Sequence, residues 1–408
     1  MRRQSIALMR DRPGASARSR SNMLCGAGSE YRAVRRLSGN RARIWKRAKE
    51  MNELLKSLTI TKTQNPKEKP DASTLGFGEV FTDHMFIMDY AAGEGWHDPR
   101  ILPYGPLSLD PAAAVLHYAQ EMFEGLKVYL GNDGALRLFR PDMNAKRTNR
   151  TNDRICLPRI DEELYVGAIK ALVEVDKDWV PDYPGTTLYV RPYVFATEAF
   201  LGVRPSKTYS FMIILSPSGP YYKGGVQPTK IYVEDKFARS AEGLTGFAKI
   251  GGNYALSLKA QALAQEKGYN QVLWLDGKEH RYVEEIGTSN AFFIMGGEAW
   301  TAPLAGTILP GVTRDSVIQI LKDGGVTVRE ERFTIEEVFA ASDRGELDEV
   351  FATGTAAVIS PVGELMWKER KLIVNNGEIG VLSQMLYDTL TGIQYGAVAD
   401  KYGWTVVL

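Results

Sequence analysis

Apolar positions along the chain follow two periods, and the switches between them mark out its elements. Short runs rich in β-branched and aromatic residues predict strands at Glu79–Asp89, Ala135–Phe139, Thr187–Val194, Tyr209–Leu215, Lys230–Glu234, Gln271–Leu275, Asn290–Met295 and Glu349–Ala352. Longer stretches with helical spacing predict helices at Pro111–Leu126, Pro141–Asn152, Asp161–Val175, Ala255–Lys267, Val312–Asp323, Ile335–Arg344 and Ile379–Gly392. Within Asp161–Val175, Leu164, Ile169 and Leu172 are the apolar positions of an amphipathic helix. The run Gly131-Asn132-Asp133-Gly134 reads as a hairpin turn.

Proline and glycine crowd together from Ser216 to Gly225, between two strand-rich halves, and give the best domain boundary. The expected organisation is a leader (1–50), an arm (51–75), a smaller N-terminal domain (76–217), a linker (218–225) and a larger C-terminal domain (226–408). The fold class expected is α/β, with mixed strands and helices in two blocks.

Composition narrows the picture. The 408 residues are 44% hydrophobic and 24% charged, which suits a globular chain with a core large enough to need no staples. Cys25 and Cys156 form no Cys-x-x-Cys pair, and four histidines suggest no metal cluster, so no metal is expected and the compartment reads as reducing. No apolar run approaches the ~18 residues that span a membrane. The net charge of +1 hides an asymmetry. Residues 1–50 hold twelve arginines and two lysines against three acids, a net of +11, which leaves −10 for the rest. An acidic body argues against nucleic acid as a partner. The basic leader reads as an upstream extension preceding a second start at Met51, with a mitochondrial transit peptide or a nucleic-acid tail as the other readings; disorder is expected there.

Lys249 is the most informative position. It lies in Gly246-Phe247-Ala248-Lys249-Ile250-Gly251-Gly252-Asn253-Tyr254, among glycines and apolar residues. Apolar surroundings keep a lysine amine partly neutral and nucleophilic, and glycines let backbone approach a flat ligand. A Schiff-base lysine for pyridoxal phosphate is the sharp reading, and a lysine in an ordinary glycine loop is the plain one.

Other segments carry matching chemistry. Leu309-Pro310-Gly311-Val312-Thr313-Arg314-Asp315 opens an amphipathic helix, with Thr313 as candidate N-cap and free N–H groups that suit a phosphate. Thr353-Gly354-Thr355-Ala356-Ala357 follows a strand and is a second place for phosphate or carboxylate oxygens, or a turn whose threonines satisfy their own backbone. Arg147, on a predicted helix, is either a phosphate ligand or a solvated charge. Tyr189 and Arg191 share one face of an alternating strand, where a half-buried arginine needs an anion, either a substrate carboxylate or an internal partner. Glu285, before Ile286-Gly287-Thr288, could keep a pyridine nitrogen protonated; the adjacent Glu284 leaves the choice open.

Read together, these segments resemble the branched-chain amino-acid aminotransferases, pyridoxal-phosphate enzymes of fold type IV. The resemblance runs from about Gly76 to Gly396. It is carried by Phe77-Gly78, Phe81-Thr82-Asp83-His84-Met85, Phe123-Glu124-Gly125-Leu126-Lys127, Tyr189-Val190-Arg191-Pro192, Lys249-Ile250-Gly251-Gly252-Asn253-Tyr254, Gln271-Val272-Leu273-Trp274-Leu275, Glu285-Ile286-Gly287-Thr288, Leu309-Pro310-Gly311-Val312-Thr313-Arg314 and Gly354-Thr355-Ala356.

The resemblance implies two domains with pyridoxal 5'-phosphate between them. Lys249 would carry the cofactor and shuttle the proton. Tyr254 would bond its phenolic oxygen and Glu285 its ring nitrogen. Arg147, Thr288, Val312, Thr313 and Thr355 would help to hold the cofactor, and Leu309 would pack on its ring. Tyr189, Arg191, Thr355 and Ala356 would bind carboxylates, and Phe77, Tyr118, Phe123 and Tyr221 would wall an apolar pocket. The implied activity is transfer of the amino group between L-leucine, L-isoleucine or L-valine and 2-oxoglutarate, in a cytoplasmic homodimer or higher homo-oligomer. Other fold type IV enzymes, D-amino-acid aminotransferases and aminodeoxychorismate lyases, are the alternative. Animal members carry a cysteine pair where this chain has Ala357 and Ser360, which rules out thiol regulation at that place.

Overall fold

The computed structural model describes residues 53–221 and 225–408. The leader, the second start at Met51 and part of the predicted linker lie outside the described residues.

Two sheets organise the chain. The first is built from β1 (Thr59–Ile60), β2 (His84–Ala91), β3 (Gly95–Pro103), β4 (Glu121–Phe123), β5 (Leu126–Leu130), β6 (Leu136–Phe139), β7 (Thr187–Ala196) and β8 (Thr208–Ser218). The second takes β9 (Thr229–Glu234), β10 (Gln271–Leu275), β11 (Val283–Ile286), β12 (Ser289–Met295), β13 (Glu298–Thr301), β14 (Val328–Glu330), β15 (Leu347–Gly354), β16 (Val358–Trp367) and β17 (Arg370–Ile373). A last strand, β18 (Thr405–Val407), pairs with β6 and so returns to the first sheet. The reading of 226–408 as one domain did not anticipate that return.

Strand order in the first sheet is β1-β3-β2-β8-β7-β5-β6-β18, with β4 also on β7. In the second it is β11-β10-β9-β16-β15-β12-β13-β14, and an extra pairing of β11 with β12 closes six of the strands into a ring. Closure removes two exposed edges and gives every ring strand an inside and an outside. Alternation follows. Ile231, Val233, Leu273, Leu275, Phe293 and Val350 share one core, which Val338 and Phe339 complete. Their neighbours face outward: Val272 and Trp274 toward one helix, Phe292 and Phe351 toward two others.

The helices around these sheets include α1 (Ala114–Tyr118), α2 (Pro141–Ile155), α3 (Glu162–Val175), α4 (Gly251–Glu266), α5 (Val312–Asp323), α6 (Ile335–Asp343) and α7 (Val381–Gln394). Asp161 caps α3 by accepting from the N–H groups of Glu163 and Leu164, and Leu164, Ile169 and Leu172 bury against the first sheet. Thr334 and Glu337 form a reciprocal capping box at the start of α6. The hairpin turn forms as expected, with Gly134 at φ +77° and its N–H on the Gly131 carbonyl.

One predicted helix fails. Pro111–Leu126 is helical only from Ala114 to Tyr118; Ala119 turns to φ +46°, and β4 and β5 follow. Pairing of Glu121 with Phe195 and of Phe123 with Tyr193 outweighs local helix preference. The strand expected from Glu79 begins only at His84, while α2 runs on to Ile155. Among the described residues, no helix is long and apolar enough to cross a membrane.

Candidate active site

A cavity of about 450 Å³ brings most of the predicted residues together. Its walls include Lys249, Tyr254, Glu285 and Arg147, together with Thr288, Leu309, Val312, Thr313, Thr355 and Ala356. Tyr189, Arg191, Phe77, Phe123 and Tyr221 face the same space. Tyr118 does not: it lies on an exposed surface, where its hydroxyl donates to the Leu201 carbonyl.

Lys249 sits just before α4. Its backbone N–H donates to the Thr151 hydroxyl at 3.1 Å and its carbonyl accepts from the Phe123 N–H at 3.1 Å, so the loop is pinned from α2 and β4. Gly251 begins the helix with its N–H on the Glu121 carboxylate; a Cβ there would meet Glu121 Oε1 at 2.2 Å and displace that carboxylate from its bond. Lys249 Nζ donates to the Tyr254 hydroxyl at 2.8 Å and lies 4.9 Å from the centre of the Phe123 ring.

Glu285 lies on β11, almost completely buried. Its Oε1 accepts from Asn290 Nδ2 at 2.9 Å and from the Leu309 N–H at 3.2 Å. Its Oε2 is 2.8 Å from Arg239 Nε, close as an ion pair but without the alignment of a hydrogen bond, and so lacks a hydrogen-bond partner. Burial pushes the Glu285 carboxyl up, against the opposing charge of Arg239. A buried carboxylate oxygen with an unmade bond suits a protonated ring nitrogen. Glu284 projects to the other side, into a separate cleft with Asp276 and Arg332, where burial raises it to about 7. The strand's alternation thus chooses between the two glutamates.

A short step beyond Leu309 on the same cavity wall, α5 begins. Its N-cap is Gly311, with no side-chain cap, and Thr313 lies inside the helix instead of capping it. A Cβ at Gly311 would sit 2.1 Å from Asn290 Oδ1, so glycine lets this end close on β12 and leaves the first turn of the helix facing the cavity. Arg147 flanks it from α2. Arg147 Nε and Nη2 donate to Glu124 at 2.6 and 2.8 Å, and Nη1 donates to the Pro310 carbonyl at 3.2 Å. Burial pushes the fully enclosed Glu124 carboxyl up, but the Arg147 charge and hydrogen bonds prevail and hold it below the usual range. A helix start and a guanidinium held by Glu124 thus lie side by side on the cavity wall, an arrangement that suits an anion.

Arg191 and Tyr189 share the cavity face of β7, as their spacing predicts. Arg191 lies 4.9 Å from the Phe123 ring, its Nη2 reaches the Tyr189 hydroxyl at 3.5 Å, and its buried Nε has no hydrogen-bond partner. Among the described residues it forms no close ion pair; the Glu121 carboxylate feels its charge from farther away, and the guanidinium is left facing the cavity. The Tyr189 hydroxyl reaches this place because residue 125 is glycine; a Cβ there would be 1.9 Å from it.

Sequence reasoning gave no role to Glu124, Asn290 and Arg239, which orient Arg147 and Glu285. Glu124 carried a usable signal, a carboxylate between Phe123 and Gly125 at the start of an apolar strand. Asn290 and Arg239 carried none, because their meaning lies in contacts 5 and 46 positions from Glu285.

The amino-transferase class IV family model matches residues 121–365. Branched-chain-amino-acid aminotransferase 2 of Bacillus subtilis is 57% identical over 349 residues, covering 86% of this chain and 96% of its own. Branched-chain-amino-acid transaminase 1 of the same organism is 56% identical over 357 residues, covering 87% and 99%. Among solved structures, the branched-chain aminotransferase from the thermophilic archaeon Thermoproteus uzoniensis with norvaline superposes with a TM-score of 0.65 at 27% identity, covering 79% of this chain and 99% of its own.

Proposed function

The chain belongs to the class IV aminotransferase family, whose members depend on pyridoxal phosphate, and from that premise we propose that it is a branched-chain amino-acid transaminase. It exchanges the amino group between L-leucine, L-isoleucine or L-valine and 2-oxoglutarate in two alternating half-reactions. The observation that carries this substrate reading is the unpaired Arg191, set among Phe123, Tyr189 and Phe77 in one cavity. Aromatic walls suit a branched apolar side chain. A cation at their end suits the second carboxylate of glutamate, which a leucine side chain does not present.

Pyridoxal phosphate, when bound, supplies a conjugated ring that withdraws electrons from the amino group in transfer. The residues fit it at three points: the Lys249 amine, the unmade bond of Glu285 Oε2, and the anion cradle of α5 with Arg147. Lys249 holds and returns the proton at the substrate Cα, and Tyr254, 2.8 Å away, orients its amine. Glu285 would keep a proton on the ring nitrogen, and Asn290 and Arg239 fix that carboxylate. Val312, Thr313, Thr288 and Thr355 line the same cavity and would add donors for the phosphate, and Leu309 would lie against the ring. The turn at Thr355 and Ala356 receives the α-carboxylate common to both substrates.

We further propose a cytoplasmic homodimer. Leu116, Tyr118, Phe200, Leu201 and Val203 form an exposed apolar surface, with Val203 84% exposed, that suits a second copy of the chain. On this reading Tyr118 walls the pocket of the partner subunit instead of its own. A sizing measurement that returns a monomer contradicts it.

The test of the substrate reading is a side-by-side assay with 2-oxoglutarate as acceptor. L-leucine is expected to react and D-alanine to remain inert; the reverse preference would overturn the proposal and leave only the family.

A further inference from the structure

The turn between β15 and β16 has an unusual support. Gly354 pairs with Val358, so three residues, Thr355, Ala356 and Ala357, close the hairpin. Val358 sits at φ +61°, a left-handed conformation that β-branched residues rarely adopt. Such a turn does not hold its shape through local preference alone. Two bonds reach it from the first sheet. Lys127 Nζ donates to the Ala356 carbonyl at 2.7 Å, and the Thr355 hydroxyl donates to the Gly125 carbonyl at 3.4 Å.

Lys127 stands directly across from Tyr189 in the pairing of β5 with β7, so both side chains leave the sheet on the same face. They lead into different spaces. Tyr189 enters the cavity of Lys249, whereas Lys127 lines a neighbouring cavity of about 850 Å³ with Tyr129, Tyr387 and Tyr395. Ala356 and Ala357 line both, so the turn is the wall between them. Among the described residues no carboxylate pairs with Lys127, and its recorded hydrogen bond is the one to the turn. Burial lowers the amine to about 8, so it remains mostly charged at neutral pH.

We propose that Lys127 is a positioning residue for substrate carboxylates: its bond to the Ala356 carbonyl fixes the Thr355–Ala357 turn so that the turn's N–H groups face the cavity of Lys249. In a trans peptide the carbonyl and the next N–H point in opposite directions. An ammonium that holds the Ala356 oxygen on one side of the wall therefore turns the Ala357 N–H to the other. It also polarises that peptide, which strengthens the N–H as a donor. The inference rests on the aminotransferase reading and adds to it a residue that touches neither substrate nor cofactor.

The experiment compares Lys127→Met and Lys127→Arg with the parent. In Lys127→Met the KM for L-leucine and for 2-oxoglutarate is expected to rise together, by roughly tenfold, with kcat changed less. Inhibition by 4-methylvalerate weakens in step, while inhibition by 3-methylbutylamine, which has no carboxylate, stays as in the parent. Lys127→Arg recovers much of the loss. Unchanged KM values overturn the proposal. So does equal weakening of the acid and the amine, and so does a Lys127→Met protein that fails to fold or to hold the cofactor, since each of these makes Lys127 a structural residue. A parent that does not transaminate leucine would sink the functional reading itself, which separates the two failures.

Discussion

Arg191 shows how a single side chain is fixed by what it lacks. It projects from a strand among aromatic rings, its Nε is buried without a partner, and it belongs to no ion pair among the described residues. A cation in that condition carries a desolvation cost that an arriving carboxylate offsets. Arg191→Ala should therefore damage use of 2-oxoglutarate far more than use of leucine. Loss of a buried charged hydrogen bond corresponds to about 2–3 kcal/mol, or a 30- to 150-fold fall in kcat/KM for the dicarboxylate. Steady-state kinetics with each substrate varied in turn check this; equal losses for leucine and 2-oxoglutarate would remove Arg191 from its assigned place. Glu285 is the complementary case. Its Oε2 is ion-paired with Arg239 yet makes no hydrogen bond, and that bond is the one a positive ring nitrogen would supply.

At the scale of elements, α5 is the part whose sequence most directly serves the site. Gly311 is its N-cap without a capping side chain, and its first turn faces the cavity. Gly311→Ala places a Cβ 2.1 Å from Asn290 Oδ1, and Asn290 in turn bonds both Glu285 and the Leu309 carbonyl. The substitution should disturb phosphate and ring sites together and weaken pyridoxal phosphate binding by ten-fold or more, roughly the effect of losing an outer supporting contact. Titration of the cofactor-free protein measures it; unchanged affinity would show that this cradle does not hold the cofactor. Elements with strong periodicity were legible in the sequence: α5 begins and ends where its pattern predicts, as does β10. The region 111–126 was not, because the residues after Tyr118 take their conformation from β7, more than 60 positions away. Strands β3, β11, β13, β14 and β16 to β18 also escaped notice, several being too short for a period to register.

Over the whole molecule, the site exists because two sheets of different design meet around it. The first contributes Tyr189, Arg191 and, through α2, Arg147; the second contributes Glu285, the Thr355–Ala357 turn, the loop before α4 that carries Lys249 and the start of α5 with Val312. Motif residues were readable singly in the sequence, since lysine among glycines or arginine within a strand is chemically conspicuous. Their supports were not, because Glu124 with Arg147, Arg239 with Glu285 and Lys127 with Ala356 are contacts between distant segments. Tyr118 lies outside the cavity of its own chain, and its position on a helix alone does not say which surface it faces.

The central claim is that Lys249 carries pyridoxal phosphate in a pocket that accepts leucine. The measurement is the visible absorption spectrum of the purified protein and of Lys249→Ala, each before and after L-leucine is added alone. The parent should be yellow and bleach on addition of leucine, and the variant should show neither the band nor the response. A parent band that leucine leaves unmoved would contradict the substrate, and a leucine-responsive band retained in Lys249→Ala would contradict the role of the lysine.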